Sequence, residues 1–307
     1  MPSNPLLSIC IPAYQAERYL PDTLESVRNQ AYGNWELIVV EDGSNDATES
    51  IVNTFTNTVA QAVRFVRHEQ NRGLPATRNT GVSLARGDWI VLLDSDDLWT
   101  PSHLTDLAAS AQREVSELVH SGSILFESGT GRELEIRAPS AEIRREFPLS
   151  LFQGQYIIQP SSVMLHKSLW SRVGGFDPAF RYVEDREMWM RCARAGAAFA
   201  FTGNNTCLYR KHSSALSTHS AEMAEASAQV FDRHLDWEAI PSSIRRRRAS
   251  EAWAAAGKLR QKRDPLRAAD HFIRACGVQW RTEWWLRSVL CRLASLLPIQ
   301  TIRRQTL

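Results

Sequence analysis

The chain has 307 residues, 43% of them hydrophobic and 23% charged, which allows one large globular domain with an appendage and argues against a disordered, fibrous or small disulfide-stapled protein. The formal net charge of +2 hides an asymmetry: residues 245–307 hold 15 Lys+Arg against 4 Asp+Glu, and residues 1–244 hold 21 against 30. Such a basic tail on an acidic body suits an anionic partner (membrane, nucleic acid or another protein), or simply solvated, arginine-rich helix faces.

In chain order, residues 6–11 form an apolar run stopped by Pro12, expected as a buried strand. Residues 20–30 carry Leu20, Leu24 and Val27 at helical spacing. A second strand is expected over 35–40, a helix over 47–59, a third strand over 63–67, a helix over 75–85 and a fourth strand over 89–93. A helix is expected around 101–109, and no element is placed between there and a strand at 159–165. A helix at 167–173, a Gly174–Gly175 turn, a helix at 184–195 and a strand-like stretch at 199–210 follow. From residue 221 the chain turns to helix formers, with helices expected over 249–261, 265–276 and an interrupted apolar stretch over 284–302. Strands alternating with helices imply βαβ units and a mainly parallel sheet, whose ligands bind at the carboxyl ends of the strands. Tyr14, Asp42 and the run Asp94–Ser95–Asp96–Asp97 all fall at such ends. Cys10, Cys192, Cys207, Cys276 and Cys291 form no CxxC pair, which fits a reducing compartment. No apolar run reaches the ~20 residues needed to span a bilayer and no signal peptide is evident, so the body is expected in the cytoplasm.

Each polar cluster has two readings. Three carboxylates within four residues repel one another, which a hard divalent cation shared with a diphosphate would relieve; the alternative is a helix N-cap at Asp96 or Asp97. Asp42, beside Gly43, can accept hydrogen bonds from a base or ribose, or the turn can be a capped strand-to-helix junction using Ser44 or Asp46. Arg78 points to the nucleotide or the acidic turn, or serves a structural salt bridge. Glu184–Asp185 offers a general base, or offsets a helix dipole. His212, among basic and hydroxyl residues, reaches a metal and diphosphate or is structural.

Taken together, SICIPAYQAERYL, VVEDGSND, NRGLPATRNTG, IVLLDSDD, GGFD and VEDREMWMRCARAG, in this order, resemble the bacterial family 2 glycosyltransferases over residues 5–217. The resemblance implies a GT-A, Rossmann-like α/β fold: a mixed, mainly parallel sheet flanked by helices in a catalytic domain over 1–220, followed by a helical region over 221–307. It implies nucleotide contacts from Pro12, Ala13, Tyr14, Glu17, Asp42, Arg78, Asp94 and Ser95, and a Mn²⁺ or Mg²⁺ ion held by Asp96 and His212. Asp185 matches the catalytic base, with Glu184 and Arg186 on the acceptor side. The implied activity is inverting, metal-dependent transfer from a nucleotide-sugar, most simply a UDP-sugar, to a hydroxyl of a glycan or lipid-linked acceptor in cell-surface polysaccharide or glycoconjugate synthesis. No nucleic acid is expected. A nucleotide-sugar hydrolase, a nucleotidyltransferase and a non-catalytic membrane- or partner-docking module are the alternatives. Two departures stand out: Glu41 where Asp is commoner, and Arg186 where Trp is frequent.

The tail lies outside the resemblance. Trp284, Trp285, Leu286, Val289, Leu290, Leu293, Leu296 and Leu297 share an apolar face flanked by Arg281, Arg287, Arg292, Arg303 and Arg304. That pattern suits a helix on the inner face of the cell membrane, a helix packed on the catalytic domain, or a homodimer contact.

Overall fold

The computed structural model describes residues 4–113, 115–213 and 218–296. The chain divides into two compact units, Met1–Ala215 and Leu216–Leu307.

The first unit opens with β1 (Leu7–Ala13), buried along its whole length, then α1 (Leu20–Arg28) and β2 (Trp35–Glu41), equally buried. Then come α2 (Thr48–Thr56), β3 (Val63–Arg67), α3 (Leu74–Leu84) and β4 (Trp89–Leu92). Continuous apolar runs, rather than alternating ones, mark strands covered on both faces, as a parallel sheet between helices requires. These four strands pair in parallel in the order β3-β2-β1-β4.

Beyond β4 lie β5 (Leu98–Trp99), α4 (His103–Arg113), β6 (Leu118–Glu127), β7 (Glu133–Arg137), α5 (Ala141–Arg145) and α6 (Leu149–Gln153). A 3₁₀ turn at Pro160–Ser162 leads into β8 (Val163–His166), followed by α7 (Lys167–Val173), α8 (Glu184–Arg194) and β9 (Phe199–Lys211). The sheet continues β4-β8-β6-β9-β5, with β7 also on β6. β8 is antiparallel to both β4 and β6, while β6 and β9 run parallel. The sheet is therefore mixed and mainly parallel.

Three expectations need correction. Pro12 does not stop β1: the strand continues to Ala13, with Pro12 opposite Val40. Leu7 and Ala13 bond toward β2 (Leu7 N–H to Asn34 O, Asp42 N–H to Ala13 O), and Cys10 O accepts from Leu93 on the β4 side. Residue 12 shares the Cys10 side, and β1–β4 pairing ends at Cys10, so the proline withholds a donor only where the ladder has ended. The strand expected over 159–165 is half turn, because Pro160 opens a 3₁₀ turn before β8. Between 110 and 158, β6 and β7 escaped notice. β6 buries His120, Ser121 and Ser123 rather than a clean apolar run, and β7 is exposed along most of its length.

The second unit is helical: α9 (Ser220–Arg233), α10 (Ser242–Arg260), α11 (Pro265–Val278) and α12 (Thr282–Leu296), each packed on the next. Its core sets Trp253, Phe272 and Trp284 among Ala254, Ala268, Ala269 and Ala275. The alanines let the helices approach, and Ser250 Oγ donates to Ala275 O across the α10–α11 interface at 2.6 Å. Truncating Phe272 there would cost about 3–5 kcal/mol. The helix expected over 284–302 is seen to Leu296; Leu297, Arg303 and Arg304 lie outside the described residues. No helix among the described residues is long and apolar enough to cross a membrane.

Candidate active site

The site is built at the carboxyl ends of β1, β2, β3 and β4. After β2, Gly43 (φ 78°) brings the turn against the loop that follows β3; a Cβ at 43 would lie 2.7 Å from the Gln70 carbonyl carbon. This approach lets Asp42 reach the loop. Its Oδ1 accepts from Arg72 N–H at 2.9 Å and lies 2.7 Å from His68 Nδ1, and its Oδ2 accepts from Gly73 N–H at 2.8 Å. His68 Nε2 in turn lies 3.0 Å from Thr80 Oγ1 on α3. Asp42 and His68 are both buried. Glu41 is fully buried and accepts from Ser44 N–H, Ser44 Oγ and Arg67 Nε, so it holds the turn rather than a ligand. Pro12 and Ala13 are buried at the end of β1, and Tyr14 stands 48% exposed beyond them. Glu17 and Asp46 clasp the two turns: Glu17 N–H donates to Asp46 Oδ2, and Ala47 N–H donates to Glu17 Oε2.

The acidic turn after β4 divides its carboxylates among three tasks. Asp94 Oδ1 accepts from the Arg78 guanidinium at 2.6 Å. Asp97 is buried as a brace: it accepts from Ser161 Oγ at 2.6 Å and from Arg210 N–H at 2.9 Å. Asp96 Oδ2 lies 2.8 Å from His212 Nε2. Ser95 is half-buried, and its carbonyl accepts from Thr23 Oγ1. The helix-cap reading does not hold, since α4 begins only at His103, beyond β5.

Arg78 is the joint of the site. It is 1% exposed on α3, bonds Asp94 on one side and Glu184 Oε1 at 2.5 Å on the other, and lies 5.1 Å over the Phe176 ring. Its Nε has no hydrogen-bond partner. The structure shows the salt-bridge reading of Arg78, with the acidic turn as one of its two partners. Glu184, expected on the acceptor side, is turned inward to this bridge and is 6% exposed. Asp185 is half-buried, and its Oδ1 accepts from Arg186 N–H at 2.7 Å. Arg186 NH2 reaches the Phe152 carbonyl. Val183, at φ 52°, makes the sharp entry that aims both acids into the site.

The electrostatics follow from burial around one cation. Burial raises the Asp185 carboxyl, the Arg186 N–H and the Arg78 charge pull it back, and Asp94 raises it again; the net direction is up. Burial raises Glu184 to about 7 against the opposing pull of Arg78, with Asp185 adding to the rise. Asp94 moves up by burial, is held back by Arg78 and is pushed again by Asp96. Asp97 is pushed well up by burial and by its neighbours Asp96 and Asp94. Burial works against the charge of Arg78, but Asp94 and Glu184 outweigh it, so that group moves up too. The cluster therefore favours any additional positive charge.

Several contributors were missed in the sequence. His68 follows β3 at a strand end, where its position alone could have drawn attention. Ser161 and Arg210 brace Asp97, and Arg210 Nε also donates to Asp96 O at 2.7 Å. Tyr19 packs its ring 4.7 Å from the His212 ring. None of these follows from spacing, because each depends on contacts made by distant segments. Among the described residues no group of three or more His, Cys, Asp or Glu gathers as a metal cage. What the residues do offer is a pair, Asp96 and His212, whose carboxylate oxygen and imidazole nitrogen lie 2.8 Å from each other.

Comparison with known proteins gives this geometry a context. The family model described as Glycosyl transferase family 2 matches residues 8–171. TuaG of Bacillus subtilis, a glycosyltransferase assigned provisionally to teichuronic acid biosynthesis, is 28% identical over 231 residues, covering 74% of this chain and 88% of that protein. Among solved structures, TarS 1–349 of S. aureus in complex with UDP-GlcNAc superposes with a TM-score of 0.67 at 18% identity, over 95% of this chain and 83% of that one. The mannosyltransferase PcManGT of Pyrobaculum calidifontis, in complex with GDP-Man and Mn²⁺, superposes with a TM-score of 0.60 at 18% identity, over 96% and 89% of the two chains.

Proposed function

This chain belongs to glycosyl transferase family 2, with the GT-A fold, and from that membership we propose that it is an inverting hexosyltransferase that takes a sugar from a UDP-sugar to a hydroxyl of a glycan or lipid-linked acceptor in cell-surface polysaccharide synthesis. The observation that carries the reading is the division of labour around Arg78: it holds Asp94 and Glu184 inward and leaves Asp185 half-buried beside them with its charge raised in cost. The UDP preference is supported by the likeness to TarS with its bound UDP-GlcNAc, and the acceptor class by the likeness to TuaG.

In this reading Asp42 and its loop receive the base beside Tyr14, and the acidic turn faces the diphosphate. Asp96 and His212 would hold a Mn²⁺ or Mg²⁺ ion, completed by phosphate oxygens, and such an ion when bound supplies positive charge at the leaving diphosphate. Asp185 takes the proton from the acceptor hydroxyl as its oxygen forms the new bond to the anomeric carbon. The bond from that carbon to the diphosphate breaks on the opposite face, so the configuration inverts. Burial that raises the Asp185 carboxyl makes it a stronger base than a solvated aspartate.

The test is Asp185→Asn, read by two measurements. Transfer to acceptor should fall by about 10³-fold or more while UDP binds by calorimetry as in the wild type. Wild-type turnover in that variant overturns the base assignment, and release of free sugar as the sole wild-type product overturns transfer.

A further inference from the structure

Among the described residues, the face of α12 that points away from α11 is left exposed. The helix buries Trp284, Ser288 and Cys291, of which Trp284 and Cys291 join the unit's core. On the other side Trp285 is 45% exposed, Leu286 48%, Leu290 62%, Leu293 55% and Leu296 79%, with Val289 half-buried between them. At 3.6 residues per turn these six positions fall in one sector of roughly 140°, which Thr282 enters only at the first residue of the helix. Charges border it on both margins: Glu283 and then Arg287 beyond the Leu290 edge, and Arg281 and Arg292 beyond the Trp285 edge. Arg281 lies 4.8 Å over the Trp284 ring. Arg287 pairs with Glu283 at 3.1 Å and Arg292 with Asp270 at 3.6 Å, all four side chains being more than a third exposed. Exposed pairs of this kind are weak and exchange readily for another anion.

We propose that this face docks on an anionic bilayer, with the leucines and Trp285 seated at the headgroup–acyl boundary and Arg281, Arg287 and Arg292 on lipid phosphates. Charge selects the occupant. A second copy of the helix laid on the stripe would bring Arg281, Arg287 and Arg292 of each copy together, with Glu283 the one acid of α12 to answer them. A sheet of phosphodiesters answers both margins at once. Over its described turns α12 carries apolar residues on one side and charged residues along both margins, the pattern of a helix that lies in the interface plane. The proposal stands apart from the transferase reading, since it uses no residue of the first unit.

The experiment is co-sedimentation of the full chain with vesicles of phosphatidylglycerol and phosphatidylcholine, against vesicles of phosphatidylcholine alone. The wild type should partition onto the anionic vesicles. Leu286→Gln/Leu290→Gln/Leu293→Gln should lower the partition coefficient by about a hundredfold or more. Arg281→Gln/Arg287→Gln/Arg292→Gln should lower it by about a hundredfold on anionic vesicles and little on neutral ones. These side chains are largely solvent-facing, and the single variant Leu290→Gln with a thermal melt guards against misfolding. Equal partition of wild type and leucine variant overturns the proposal, as does a wild type that ignores anionic vesicles. A dimer in light scattering that Leu290→Gln dissociates, without vesicle binding, overturns it in favour of self-association. Calorimetric binding of UDP by the same preparation reports on the first unit separately, so failure of one reading is distinguishable from failure of the other.

Discussion

Arg78 and Glu184 lie 106 residues apart in the chain and meet at 2.5 Å in a buried ion pair that welds helix α3 to the start of α8. With the half-buried Asp94 on its other side, Arg78 is a buried cation that two acids share.

Removing it strands both acids. Arg78→Leu should destabilise the first unit by about 3–5 kcal/mol in urea denaturation, because a buried pair broken from one side leaves its partner uncompensated. Adding Glu184→Gln should recover part of that loss. A double variant no more stable than the single one would show that the pair is not coupled.

Asp96 and His212 should govern the response to metal. His212→Gln is expected to weaken Mn²⁺-dependent binding of UDP by about tenfold or more, with little change in binding measured in chelator. Calorimetric titrations with and without Mn²⁺ decide it, and an unchanged Mn²⁺ response removes His212 from the site.

His68 acts through Asp42. His68→Leu leaves Asp42 its two backbone donors but removes the imidazole beside Oδ1. The donor KM should rise by about tenfold at nearly constant kcat, the pattern of binding lost equally from ground and transition states. A fall in kcat at constant KM would move His68 from the nucleotide to the chemistry.

The acid limb of kcat/KM should lie above the ordinary aspartate range. The Asp185 carboxyl is raised in the folded protein, so the base is lost as pH falls through that raised value and is intact above it. A profile flat down to the usual carboxylate range would contradict the assignment.

Two buried histidines give the fold its own pH response. Burial lowers His103 to about 3, and burial, partly opposed by the Ser121 carbonyl bond and aided by Arg144, lowers His120 to about 4. Unfolded, each binds a proton below its ordinary 6.5, so its contribution is full above that pH and drains away as pH falls toward 4. At pH 5 each should account for ~2 kcal/mol of lost stability. The raised carboxylates titrate with the opposite sign, so the informative quantity is the difference between wild type and His103→Gln or His120→Gln from pH 7.5 to 5. A difference that does not change over that interval would contradict the argument.

Much of the first unit was legible in the sequence because β1, β2 and β4 are largely apolar runs closed by polar turns. Asp42 and the 94–97 run could be found for the same reason: they end those strands. What escaped was set by contacts between remote segments. β6 hides its strand character behind buried His120, Ser121 and Ser123. Asp97 looks like its neighbours and becomes a brace only because Ser161 and Arg210 close on it. Glu184 and Asp185 stand side by side in the chain, and only the position of Arg78 decides which of them faces inward.

Pro12 also bears on how the crevice comes to exist. The last rung between β1 and β4 runs from Leu93 N–H to Cys10 O. In a parallel ladder the next would run from the N–H of residue 12 to Leu93 O, and proline has none to give. The two strands are thus free to part at the crevice proposed for the donor, and the acidic turn is not drawn into the sheet. The missing hydrogen works as a zipper stop, so the opening is written into the backbone before any side chain lines it.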